Sequence, residues 1–166
     1  MSRDFQSQLD AALTLADIFE VVKAAVHKSM GKRRAGLMLG MANLGNSPKE
    51  FLGAFYPVGT NVIVMNKIPL QRIRETKPDL YKPYAFHVLM HEYLHSLGYM
   101  DENLVRSKVY DISKSVLGEN HLATQIAVDT KCFFNHLVYP DSTWKADDNG
   151  IEIIRDFDRS SVCYIA

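Results

Sequence analysis

The stretch that decides the fold runs from Met90 to Asp101 and reads MHEYLHSLGYMD. Within it, His91 and His95 stand four positions apart, and Glu92 follows the first histidine directly. On an α-helix, residues four apart lie on one face, about 6 Å from each other. Two imidazoles in that arrangement can bind one tetrahedral metal ion, and the carboxylate beside them can reach a water on the metal. The stretch therefore predicts a metal site with two histidine ligands.

The residues around this stretch predict the helix that such a site needs. Pro83 suits a first helical turn, and Gly98 stands where a helix C-cap belongs. The apolar side of the helix is formed by Phe86, Met90, Tyr93, Leu94 and Leu97. One side can therefore dock on the core while the other faces a cleft. His87 continues the row of histidines, but it lies about 12 Å along the axis from His95, too far for the same metal ion. We expect it to lie beside the site or on the surface.

Length and composition are typical of one globular domain. The chain has 166 residues, of which 47% are hydrophobic and 23% are charged. Nineteen basic residues balance nineteen acidic ones, so no net field favours a nucleic acid or a membrane surface. No apolar run is long enough to span a membrane, and the N-terminus, with Asp4, Asp10 and Asp17, does not resemble a signal peptide. Cys132 and Cys163 have no C-x-x-C spacing and indicate free thiols in a reducing cytoplasm.

The remaining pattern predicts helices on either side of a group of strands. Apolar spacing predicts one long helix over 7–30, a short helix over 71–76, a helix after the metal helix that ends at 118, and a last helix over 121–134. Strands are predicted over 35–44, 51–58 and 61–65, with a further candidate at 151–154. Residues 138–166 otherwise indicate an irregular tail, and residues 1–166 a single α+β domain.

The pattern His91-Glu92-x-x-His95 resembles the H-E-x-x-H motif of the zincin metallopeptidases. The resemblance implies a zincin-like fold, in which a small mixed sheet is flanked by helices, and a peptide or protein substrate. Zinc would polarise the scissile carbonyl and lower the pKa of its bound water toward about 7. Glu92 would serve as the general base. In zincins, a strand before the metal helix forms the edge along which the substrate lies, and residues 61–65 are the candidate here, with an interior strand that has no substrate contact as the alternative.

A catalytic zinc site usually has three protein ligands, and the sequence offers several candidates for the third. Asp101 stands six positions after His95, as in the extended H-E-x-x-H-x-x-G-x-x-H/D signature of metzincins, in the aspartate form known from snapalysin. Asp101 also stands where the next helix needs an N-cap, and no methionine follows that could form the metzincin methionine turn. His121 is the alternative ligand, since a loose connection can bring it back to the metal.

Thermolysin-type zincins and the short archaeal minigluzincins use a glutamate on the following helix instead. Across a tight helical hairpin we expect such a residue within 103–108, where the sequence has no acid. Asp111 and Glu119 are weaker options.

Two other classes of protein fit part of the same pattern. Bacterial endoribonucleases that mature ribosomal RNA carry H-G-x-L-H-x-x-G-Y-D-H, to which Leu94-His95-Ser96-Leu97-Gly98-Tyr99 is locally similar. In those enzymes a glycine stands at the position of Glu92, and a carboxylate beside the metal water favours peptide hydrolysis. An inactive zincin-fold protein that binds a partner is the third class. We expect a cytoplasmic zinc metallopeptidase.

Overall fold

The structure is a computed structural model that describes residues 4–44, 53–129, 150–154 and 157–158. Within these residues it is an α+β fold with six α-helices and one mixed, four-stranded sheet. The predicted fold class and the small mixed sheet are therefore confirmed. The predictions for Cys132, for Cys163 and for the last part of the helix over 121–134 fall outside the described residues.

Two helices, rather than one, occupy the N-terminal part of the chain. Helix α1 spans Phe5–Ala11 and helix α2 spans Leu15–Met30. The Thr14 side chain accepts a hydrogen bond from the backbone N–H of Asp17, and the Asp17 side chain accepts one from the backbone N–H of Thr14. This reciprocal capping box starts a new helix. The prediction of one helix over 7–30 is wrong because it used the apolar spacing and overlooked the cap.

The sheet has the strand order β2-β3-β1-β4. Its strands are β1 Met38–Ala42, β2 Ala54–Phe55, β3 Val62–Asn66 and β4 Glu152–Ile154. Strands β1 and β3 are parallel, whereas β2 and β4 pair antiparallel at the two edges. Residues 61–65 are the candidate for a substrate edge, with an interior strand as the alternative. Strand β3 lies inside the sheet because the short strand β2 covers its outer side, so the edge interpretation is wrong and the interior alternative is the one observed.

The helix that carries the histidines is the centre of the fold. Helix α3 spans Lys67–Thr76, and after a 3-10 turn helix α4 spans Tyr81–Ser96. Helix α4 packs against α2, the sheet, α5 (Glu102–Leu117) and α6 (Leu122–Val128). It is buried on almost every side, and only Tyr81, Lys82 and His91 are partly exposed. A helix surrounded in this way holds its side chains in fixed positions.

A segment far along the chain closes the fold beside α2. The ring of Phe157 stacks on that of Phe19 with 4.3 Å between centroids. Next to it, the buried carboxylate of Asp158 accepts hydrogen bonds from Lys23 Nζ at 2.6 Å and from the backbone N–H of Leu37 at 3.1 Å. Strand β4 pairs with β1 from the same part of the chain. Phe157 and Asp158 are therefore buried parts of the fold.

The described helices include none that is both long and apolar enough to cross a membrane.

Candidate metal centre

Helix α4 brings His91 and His95 together on one face, as their spacing predicts. The two Nε2 atoms are 3.2 Å apart, and the ring centroids are 4.9 Å apart. Glu92 lies beside them and is only 7% exposed. One ligand atom from each of these three residues lies within 4.8 Å of the others, so the group can hold a metal ion.

A second carboxylate completes the group, and it comes from the first residue of α5. The two carboxylate oxygens of Glu102 divide between the histidines: Oε2 lies 2.9 Å from His91 Nε2, and Oε1 lies 2.8 Å from His95 Nε2. The chain reverses direction at Gly98, whose φ of 108° is a left-handed conformation that glycine tolerates. Because the reversal is complete by residue 101, the first residue of α5 already lies level with His95. We call His91, Glu92, His95 and Glu102 the His–Glu site.

The donor atoms of the His–Glu site suit a zinc ion. Two imidazole nitrogens and one carboxylate oxygen are a common catalytic zinc ligand set. With bonds of about 2.0–2.1 Å, tetrahedral zinc separates its ligand atoms by about 3.3 Å. The contacts among His91 Nε2, His95 Nε2 and the two carboxylate oxygens of Glu102 are 2.8–3.2 Å long, so a small outward movement accommodates the ion. The Glu102 side chain is 57% exposed, which leaves a side open to water.

Within the His–Glu site, burial favours the neutral form of His91, and the neighbouring histidines favour the ionised form of Glu102. Desolvation lowers the pKa of His91, although the charge of Glu102 partly opposes it. Burial alone would raise the pKa of Glu102, but the two histidines and their hydrogen bonds lower it below its usual value. A neutral imidazole and an ionised carboxylate are the forms that bind a metal.

Glu92 differs from Glu102 because it is buried. Desolvation raises its pKa to about 7, with the charge of His95 lowering it and that of Glu102 raising it further. A carboxyl group with a pKa near neutral pH can both accept and return a proton. Burial therefore gives Glu92 the property that a general acid–base catalyst needs.

The two histidines have different outer partners. His95 Nδ1 is 2.7 Å from the backbone carbonyl oxygen of Tyr99, to which it can donate a hydrogen bond. Such a bond fixes the ring and leaves Nε2 free for the metal. Both hydrogen bonds of His91 within the described residues use Nε2.

The structure places Asp101 as the cap of α5. Its Oδ1 accepts hydrogen bonds from the backbone N–H groups of Asn103 and Leu104, at 2.8 and 3.1 Å. Of its two predicted roles, the N-cap is therefore the one observed, and the carboxylate that meets the histidines belongs to the next residue, Glu102. An aspartate is short enough to reach its own helix, whereas the longer glutamate reaches across to α4.

His121, the alternative third ligand, also caps a helix. Its Nδ1 accepts a hydrogen bond from the backbone N–H of Ala123 at the start of α6. Desolvation lowers its pKa, and the charge of Asp10 on α1 opposes this. His121 lines a cavity of about 640 Å³ between α1, α3 and the start of α4, together with Asp10 and Arg74. The structure therefore does not bring it to His91 and His95.

Asp111 and Glu119, the weaker options, are both exposed, and no hydrogen bond joins them to the histidines. Glu102 is the residue that the sequence reasoning missed. It lies one position before the range in which an acid was expected.

No protein-family model matches the sequence, and no curated protein or solved structure shows a significant match. The function is therefore inferred from the residues of the His–Glu site themselves.

Proposed function

We propose that the protein is a zinc-dependent metallopeptidase in which His91, His95 and Glu102 hold the zinc and Glu92 is the general base. The observation that carries the proposal is the carboxylate of Glu102, which meets both Nε2 atoms beside a buried second glutamate. A third ligand from the helix after the histidines agrees with the resemblance to thermolysin-type zincins and minigluzincins. The zincin-like fold belongs to the same proposal.

Each residue of the site has a role that follows from its surroundings. Zinc, when bound, polarises the scissile carbonyl and acidifies a water. Glu92 accepts the proton of the attacking water at a carboxylate oxygen and returns it to the leaving amine. Glu102 supplies a negative charge that offsets part of the metal charge. The Tyr99 carbonyl holds the ring of His95 so that its Nε2 keeps pointing at the metal.

Peptide hydrolysis fits the site better than cleavage of RNA. Two carboxylates stand at the site, and they repel a phosphodiester more than a neutral amide. The third ligand candidate is a glutamate and not the third histidine of the endoribonucleases. The equal numbers of acidic and basic residues also give no general attraction for a polyanion.

The substitution Glu92→Gln tests the proposal, because it keeps the shape of the side chain and removes its basicity. We expect zinc to remain stoichiometric by elemental analysis, whereas hydrolysis of a mixture of unstructured peptides, followed by mass spectrometry, should fall by about 10²–10⁴-fold. The control is Glu119→Gln, which makes the same change at an exposed position and should behave as wild type. His95→Ala should lose the zinc.

Unchanged peptide cleavage by Glu92→Gln would refute the role of Glu92, and full zinc retention by His95→Ala would refute the metal site. Cleavage of structured RNA without any cleavage of peptides by the wild type would favour the endoribonuclease class instead.

A further inference from the structure

The facing surfaces of α4 and α5, which we call the polar seam, carry further polar side chains beyond the His–Glu site. The two helices run in opposite directions, since α4 ends at Ser96 and α5 begins at Glu102. One turn back from His91 on α4 is His87, and one turn forward from Glu102 on α5 is Arg106. Four residues advance each helix by about 6 Å, so these two side chains occupy the next level of the same seam.

Arg106 is close enough to act on His87, whose pKa is lowered mainly by burial and further by the charges of His91 and Arg106. His87 is buried, with only 8% of its surface exposed, and its Nδ1 has no hydrogen-bond partner in the described part of the chain. Burial lowers its pKa to about 3, so the ring is neutral at pH 7. A buried polar nitrogen without a partner destabilises a fold, which makes His87 Nδ1 a candidate for binding a ligand.

His91 also lacks a hydrogen-bond acceptor for one of its ring nitrogens. When Nε2 binds a metal, the proton of the ring sits on Nδ1, and that N–H ordinarily donates to a carboxylate, a carbonyl or a water. His95 has such an acceptor in the Tyr99 carbonyl. Among the described residues, Nδ1 of His91 has none.

Arg106 is the third member of this group. It is exposed and takes part in no salt bridge or hydrogen bond within the described ranges. A guanidinium is always charged and presents several N–H donors in a fixed plane. The carboxylate of Glu102, one turn before Arg106 on α5, is bonded to both histidines, so the positive charge of Arg106 still opposes a metal cation at His91.

We propose that a small monovalent anion, of the chloride or free carboxylate type, binds between His87, His91 and Arg106. The ring centroids of the two histidines are 6.5 Å apart, which leaves room for one bridging atom with hydrogen bonds of about 3 Å to each ring. The anion accepts the Nδ1–H of His91, takes a hydrogen bond from neutral His87 and pairs with the guanidinium. This inference rests on the proposed zinc site. The bound anion makes zinc binding at that site depend on the anion.

The expected consequence is tighter zinc binding when the anion is present. The anion neutralises Arg106 and makes His91 a more basic ligand. Removal of an outer hydrogen-bond partner typically weakens metal binding by about 10–100-fold, so occupancy should raise zinc affinity by about tenfold.

The test measures zinc affinity of the full chain by competition with a chromophoric chelator. The salts are sodium chloride, sodium acetate and sodium methanesulfonate at equal ionic strength, and methanesulfonate is the bulky reference anion. We expect wild type to bind zinc about tenfold more tightly in chloride or acetate, and the preferred one of the two identifies the anion. Arg106→Gln should lose this difference, and Arg106→Lys should recover part of it.

Arg33→Gln is the matched control, because it removes one arginine charge at an exposed position and should keep the anion dependence. Chloride can also bind zinc directly as a fourth ligand, but that effect would persist in Arg106→Gln. Equal anion dependence in wild type and Arg106→Gln would therefore overturn the proposal. Tight zinc binding that does not depend on the anion would overturn it as well. The zinc site would then stand, and the space between His87, His91 and Arg106 would be assigned to water. No zinc binding in any salt would overturn the proposed function itself.

Discussion

Within the described residues, two groups of ionisable side chains differ in which protonation states the fold favours. Beside α2, Lys23 lies between Glu20 at 2.5 Å and Asp158 at 2.6 Å, a group we call the Lys23 cluster. Burial alone would lower the pKa of Lys23, but these hydrogen bonds and charges raise it. In the His–Glu site, by contrast, the pKa shifts of Glu92 and His91 favour the uncharged forms.

This difference is the one expected between a structural group and a group that can bind a metal ion. The Lys23 cluster contains its own counter-charges, so the fold itself stabilises the charged forms. The His–Glu site instead holds two imidazoles, a buried Glu92 whose pKa is raised by burial and an ionised Glu102, and a cation among them stabilises the ionised carboxylates. Groups whose charged forms are disfavoured, and which lie together at one place, are typical of sites that bind or react.

The largest effect on stability is expected from the Lys23 cluster. Asp158→Asn keeps the shape and the acceptor for the Leu37 N–H, but it leaves the ammonium of Lys23 without its most buried partner. We expect the free energy of unfolding to fall by about 3 kcal/mol, measured by urea denaturation of the zinc-free protein. Zinc affinity should not change. Asp111→Asn, at an exposed position, is the control, and equal stability of the two variants would show that the pair is not structural.

The next effect separates two adjacent acids at the start of α5. Glu102→Gln should weaken zinc binding by about 100-fold, because the site loses its only charged ligand next to the two histidines. Asp101→Asn should change zinc affinity little, since asparagine caps a helix about as well as aspartate. Competition with a chromophoric chelator measures the zinc affinity of both variants. If Asp101→Asn loses the zinc while Glu102→Gln keeps it, the third ligand is Asp101 after all.

The smallest effect concerns acid stability of the zinc-free protein. The pKa of buried His87 is about 3, against about 6.5 in the unfolded chain, so the unfolded chain binds more protons in that window. Stability is therefore lost as the pH falls from about 6.5 toward 3, and His87 accounts for about 2 kcal/mol of loss by pH 5. His87→Leu should reduce the difference in unfolding free energy between pH 7 and pH 5 by that amount. His27→Leu, on the exposed side of α2, should leave it unchanged, and identical pH profiles for His87→Leu and wild type would contradict the assignment.

The part of the site that lies within one helix could be predicted from the sequence. The spacing of His91, Glu92 and His95 sets their geometry without reference to the rest of the chain. Glu102 could not be placed in the same way, because its position depends on how the chain reverses between Gly98 and Asp101. The local signal was present, since a glutamate directly after an N-cap lies in the first turn and near the preceding helix. The expected range simply began one residue too late.

In the fold, too, the sequence predicts local elements but not contacts between distant parts of the chain. The last turn of α5 at Gly118 and the strand near 152–154 follow from local pattern. The strand order does not, because β1 pairs with β3 in parallel and with β4 across more than a hundred residues. Pairing between distant strands is decided by packing of the whole core.

That long-range pairing makes the fold depend on the order of synthesis. Strand β1 is made early, but β4 and Asp158, which cover its outer edge and pair with Lys23, come more than 110 residues later. At ~5–20 residues per second, the interval is roughly 6–23 s. During that time the outer edge of β1 presents unpaired backbone N–H and C=O groups, which are a template for joining other chains. Until β4 and Asp158 have been made, a nascent chain of this protein therefore exposes a strand edge on which other chains can pair.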